Sequence, residues 1–177
     1  MSSTLKTKWL SKICFALSFL LLFGCSPEKE TQLAGNLYGF NHVKDTAVNW
    51  FKVNGYEGRG AAGTCCIMIP PKWTPGKTVL VEWEVDPNPY PSDSPGVTDP
   101  RFEDYMKKHE ANYRHYSKRV EVPEYGEPCD VQVHFLPCQE VKITLSCYTT
   151  SHPDYPIKEP NDMEEPTECP ISVSQSQ

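Results

Sequence analysis

The side chains most committed to chemistry are six cysteines: Cys65, Cys66, Cys129, Cys138, Cys147 and Cys169. Their even number points to disulfides formed in an oxidising compartment, and the spacing leaves the pairing open. Cys65 and Cys66 are adjacent, and neighbours in a strand point to opposite faces. They are therefore expected to take different partners, or to stay buried as thiols, rather than to join each other. Zinc is the rival use of cysteine. It is not expected, because no C-x-x-C pair occurs and Cys129, Cys138 and Cys147 stand nine apart. Neither a metal nor a cofactor is expected.

Other constellations are weaker. HEANYRH (109–115) opens like a zinc protease motif, which needs a second histidine one helical turn after the first. Tyr113 holds that position and His115 falls on a different face, so a solvated helix with aromatic anchors is the simpler reading. No G-x-S-x-G nucleophile elbow is present. His134 sits in an alternating run and shares a face with Gln132, which reads as a surface or capped histidine. His42 and His152 lie near turns without an evident partner. GRGAAG (58–63) lacks the following helix and lysine of a phosphate cradle. Glu82 and Glu84 share one strand face about 7 Å apart, a separation that glycosidase carboxylates could have. Same-face acids more simply form a solvated face. With Asp86 they make an acidic ridge beside a proline-rich loop, read here as a partner surface. No catalytic residue is assigned, and an enzyme is not expected.

These residues need elements to hold them. Thr78 to Asp86 alternates, with Val79, Val81, Trp83 and Val85 on one face, as in a half-buried strand. Further strands are expected at 33–43, 47–53, 64–69, 118–122, 130–136 and 140–148. Residues 86–100 carry five prolines and read as a loop. The one helical pattern runs over 99–117, with Asp99 as cap, Pro100 in the first turn, and Phe102, Tyr105, Met106, His109 and Tyr113 at spacings of three and four. Seven short strands and one inserted helix (about 99–117) imply a mainly β fold, an immunoglobulin-like β-sandwich.

The N-terminus sets the compartment. Lys6, Lys8 and Lys12 precede an apolar run from Ile13 to Phe23, the layout of a secretory signal and too short to span a bilayer comfortably. Leu22-Phe23-Gly24-Cys25 resembles the bacterial lipobox, with Phe23 bulkier than the usual occupant. The expected organisation is a signal peptide at 1–24, a lipidated tether at 25–32, a sandwich domain at 33–150 and an irregular acidic, proline-rich tail at 151–177. By that resemblance Cys25 becomes the mature N-terminus and carries acyl chains such as palmitate, which anchor durably when there are several. Ser26, where an Asp would favour inner-membrane retention, points to the outer membrane facing the periplasm. The chain has 17 basic and 23 acidic residues. Loss of a signal with three lysines and no acid makes it more acidic still. Nucleic acid is an unsuitable partner for such a chain.

GTCCIMIPPKWTPGKTVLVEW (63–83), VEVPEY (120–125) and VQVHFLP with the following VKITLSC (131–147) together resemble a family of small bacterial lipoproteins known as a domain of unknown function. Many members lie beside type VI secretion spike proteins and lipase effectors. The resemblance implies an immunity protein that neutralises a phospholipase in the periplasm. The expected partner is thus a protein, the cognate lipase effector, with membrane contact through the lipid on Cys25 and no small-molecule substrate. The alternative is an envelope structural or secretion-assembly lipoprotein without catalytic activity.

Overall fold

Alternating apolar residues set the strands, and two glycines set how closely the sheets approach. The computed structural model of the protein describes residues 31–170. The expected signal peptide, Cys25, most of the tether and the tail beyond residue 170 lie outside the described residues.

Eight strands form two four-stranded sheets, so the mainly β sandwich expected from the sequence is the observed architecture. The strands are β1 (Leu33–Asn41), β2 (Ala47–Val53), β3 (Tyr56–Gly58), β4 (Thr64–Ile69), β5 (Thr78–Asp86), β6 (Arg114–Glu121), β7 (Val131–Leu136) and β8 (Glu140–Thr144). The first sheet has the order β4-β1-β7-β8 and the second β3-β2-β5-β6. All neighbours are antiparallel except β1 and β7, which run parallel with Leu37 opposite Val131. The eighth strand, β3, is only three residues long and follows the Asn54-Gly55 turn, too short for an alternation to register.

Thr78 to Asp86 is one strand, as its pattern requires. Val81 and Trp83 are fully buried, and Val79 and Val85 pack beside them. On β2 the inward residues are Val48, Phe51 and Val53, a spacing that simple alternation forbids. The register slips between Val48 and Trp50, and this bulge at Asn49 turns both Val48 and Phe51 inward. The first sheet answers with Leu37, Val131, Val133, Phe135, Val141 and Ile143. Phe51 meets Phe135 edge-on at 5.4 Å, and Trp83 stacks on Tyr116 at 5.4 Å. Burying a ring such as Phe51 contributes about 1.5–3 kcal/mol. The Phe51 ring lies over Gly39 and Gly58, and a Cβ on Gly39 would stand 2.5 Å from its Cε1.

Three expectations are corrected. The helix α1 spans Phe102–Glu110, not 99–117. Asn112 ends it, its amide donating to the carbonyls of Lys108 and His109, and the residues from Arg114 onward pair with β5 as strand. Apolar side chains at 113 and 116 fit either element, and the tertiary partner decides. Asp99 does not cap the helix through its side chain. It accepts from the Arg101 backbone N–H at 2.9 Å one turn earlier. Cys65 and Cys66 are joined to each other. The register between β1 and β4 passes from Gly35 opposite Ile67 to Asn36 opposite Cys65, which leaves Cys66 as the extra residue of a bulge. At a bulge the two-residue alternation that separates neighbouring side chains is interrupted.

The other disulfides are Cys129–Cys147 and Cys138–Cys169. The first ties the entry of β7 to the segment after β8, and the second ties the β7–β8 turn to the C-terminal tail. Replacing Cys129 and Cys147 together by serine should lower unfolding free energy by about 3 kcal/mol, measured by urea denaturation. Gly39→Val should cost about 1–3 kcal/mol by driving a side chain into the Phe51 ring. A stability equal to wild type would show that the ring has room to move.

Candidate functional site

The tail, expected as an irregular appendage, has no strand of its own but packs closely on the outer face of the first sheet. On that face β1 presents Phe40, with His42 just beyond it, and β7 presents Gln132 and His134. Every residue of β7 is buried. Of the two readings of His134, the surface one is therefore corrected, since the residue is 1% exposed, and the capped one holds, since both ring nitrogens have hydrogen-bond partners. Strand alternation gave its face correctly, but that face is roofed by the tail.

Under the roof lies a chain of hydrogen bonds that the sequence did not reveal. His42 Nδ1 is 2.9 Å from the Pro160 carbonyl. His42 Nε2 is 2.7 Å from His134 Nδ1, and His134 Nε2 is 2.5 Å from the Tyr155 hydroxyl. With both rings neutral, the carbonyl fixes every proton. Pro160 can only accept, so His42 donates from Nδ1 and accepts at Nε2. His134 must then donate from Nδ1 and accept the Tyr155 O–H at Nε2. Burial pushes the His134 imidazole down to about 4, with His42 and Lys142 acting in the same direction and Glu159 opposing them. Burial pushes the Tyr155 phenol above its ordinary range. Phe40 stacks on His134 at 4.9 Å and closes that side.

Further clasps run along the tail. Lys142 pairs with Glu159, and the Lys142 ammonium holds the Glu159 carboxyl below its usual range. The Met163 backbone bonds to both His42 and Lys44. Lys44 pairs with Glu164 at 2.6 Å. The Glu165 carboxylate accepts from the Cys138 N–H at 2.8 Å, beside the Cys138–Cys169 bond. Cys138, Glu165 and Cys169 come within 4.8 Å of one another. The two sulfurs are bonded to each other and so are not the thiolates that a metal takes. The His42–His134–Tyr155 chain is satisfied end to end and sealed from solvent. A general base must reach its substrate, and these rings reach only one another and the tail.

The ridge residues fall in two places. Glu82 and Glu84 lie on the outer face of the second sheet. Glu84 pairs with His115 at 2.6 Å and accepts from Asn49 at 3.0 Å. Glu82 stands opposite Lys52 on one side and Ser117 on the other. Trp50 completes the patch, with Lys52 Nζ 5.3 Å from its ring. Asp86 is elsewhere: it is 5% exposed, accepts from the Asn88 N–H, and pairs with His109 at 2.9 Å. It thus fastens α1 to the end of β5. His109, the first histidine of the HEANYRH segment, is that fastener, and His115 lies on β6.

These features define a class, a disulfide-braced β-sandwich with one sheet face roofed and the other open. Residues 40–143 match the family described as "Protein of unknown function (DUF3304)". The match covers more than half of the chain, and the chain belongs to that family. It runs from β1 into β8 and stops before the tail that carries Tyr155, Pro160 and Cys169. No curated protein and no solved structure matches the chain. Among the described residues no helix is long and apolar enough to cross a membrane.

The clasp gives stability a pH dependence. His134 is held below its unfolded value, so the unfolded chain takes up a proton first as pH falls. Stability should therefore be lost between pH 6.5 and about 4, by on the order of 3 kcal/mol. Urea denaturation across that window reads it directly, and His134→Asn should flatten the slope. Tyr155→Phe leaves a buried acceptor without its donor and should cost about 1–3 kcal/mol at neutral pH.

Proposed function

We propose that the protein is a membrane-anchored periplasmic immunity lipoprotein that binds and neutralises a phospholipase effector of type VI secretion. The observation that carries this reading is the contrast between the two outer faces. One sheet is roofed by the tail over a sealed polar chain. The other offers Trp50, a residue type enriched at interfaces, among Lys52, Glu82 and the Glu84–His115 pair, charges of both signs that can set the register of a partner. Three disulfides brace the scaffold behind it. Such bonds persist in an oxidising compartment, which supports the periplasmic part of the reading. Rigid scaffolds lose little freedom on binding. An anchor at Cys25 would concentrate the inhibitor at the membrane that a lipase attacks, raising the effective concentration without any new contact.

The test is protection. A type VI secretion phospholipase is directed to the periplasm of a host cell, with and without this protein, and survival is counted. Rescue, with recovery of a one-to-one complex, is the expected result. No rescue by a protein that reaches the periplasm would end the immunity reading in favour of an envelope-assembly role. Cys25→Ser should move the protein from the membrane fraction to the soluble one. Glu82→Lys with Glu84→Lys should weaken the complex by roughly tenfold or more, with the circular dichroism spectrum unchanged. Undiminished affinity would remove this face as the interface.

A further inference from the structure

At the end of the sandwich where β1 enters, the two sheets part around a cavity of about 330 Å³. Its walls are apolar and come from both sheets: Val53 and Val79 on one side, Ile69, Val131, Ile143 and Leu145 on the other. Across it runs the β4–β5 connection, strapped to the chain after β6. Trp73 Nε1 donates to the Val122 carbonyl at 3.0 Å, the Val122 N–H donates to the Lys77 carbonyl at 2.9 Å, and the Tyr125 hydroxyl donates to the Pro70 carbonyl at 2.9 Å.

The charged side chains that line the cavity are both basic. The chain carries 23 acids against 17 bases, yet no acid lines the cavity and two lysines do, Lys72 and Lys77. Both are exposed, and neither joins an ion pair among the described residues. The rim also shows apolar side chains to solvent: Tyr56 is 40% exposed and Met68 39%. Leu33, 41% exposed, follows the lining residue Gln32. An apolar bore whose charged lining residues are two unpaired cations is complementary to an amphiphile with a hydrocarbon tail and a compact anionic head. The volume lies at the small end of ligand pockets, which suits one chain rather than two.

We propose that this cavity binds a single-chain fatty-acid anion, with the hydrocarbon between the sheets and the carboxylate held by Lys72 and Lys77. This site is independent of the immunity reading and of the open face of the second sheet.

The probe is dodecanoate, titrated into the purified protein below the concentration at which it forms micelles. Calorimetry and methyl NMR give affinity and place. Saturable one-to-one binding is expected, with shifts at Val79, Ile143 and Leu145 and at the Trp73 indole N–H. Lys72→Glu with Lys77→Glu should weaken dodecanoate roughly tenfold or more, while binding of the uncharged dodecanol stays within about twofold. Val79→Trp fills the bore and should abolish both. Because that core variant can fail to fold, the surface lysine pair decides. The proposal is overturned by absence of saturable binding, by shifts confined to other parts of the molecule, or by a lysine variant that binds dodecanoate as wild type does. Dodecylphosphocholine binding as tightly as dodecanoate would overturn the anionic head.

Discussion

The Phe51 ring governs how the two sheets meet. It comes from the second sheet, is fully buried, and rests where Gly39 and Gly58 offer no side chain. From there it touches Phe135 of the first sheet, which in turn meets Trp83. Aromatic volume fits between the sheets because two backbone positions give way to it. Interiors are packed to crystal-like density, so a ring that fixes the separation in one region fixes what can happen elsewhere. Around Phe51 the gap is filled. At the end where β1 enters, the gap is lined by smaller aliphatic residues and opens into a cavity.

The same economy divides the outer faces. Tail residues 155–169 cover one sheet with a phenol, a backbone bridge, two ion pairs and a disulfide, all converging on β1, β7, β8 and the turn between the last two. Histidine at 42 and 134 is suited to this place, because each neutral ring supplies one donor and one acceptor. The result is a directed chain in which no ring nitrogen is left unpaired. Among the described residues no tail segment covers the second sheet, and its outward residues set Lys52, Glu82, Glu84 and Arg119 beside Leu80 and Trp50. A scaffold of this kind separates the work of holding together from the work of being recognised.

Much of this was legible in the residues. The pattern from Thr78 to Asp86 names its own inner face, and the bounds of β2, β4 and β5 follow from the turns that flank them. What escaped was decided by partners distant in sequence. Tyr113 and Tyr116 satisfy a helical spacing, and only pairing with β5 makes the region from Arg114 a strand. The pairing of Cys65 with Cys66 depends on a bulge that a single strand does not display. His134 was placed on the right face, but its burial depends on Tyr155 and Pro160, which lie in a stretch with no periodicity. One signal was present: the outward positions of the two central strands, Phe40, His42, Gln132 and His134, lack acids and lysines, and the nearest outward charge, Lys142 on β8, is taken by Glu159 of the tail.

The parallel pairing of β1 with β7 has a consequence for how the molecule comes into being. The Asp130 side chain reaches the backbone of Asn36 across 94 residues, and the central seam of the first sheet joins strands from opposite ends of the domain. The chain must close that long loop before the seam can reward it. The second sheet has one hairpin, β2–β3, and its other paired strands lie closer in sequence than β1 and β7 do, so it can assemble while that seam still waits. A chain emerging N-terminus first can pair one edge of its opening strand with β4 early, and displays the other edge long before β7 arrives.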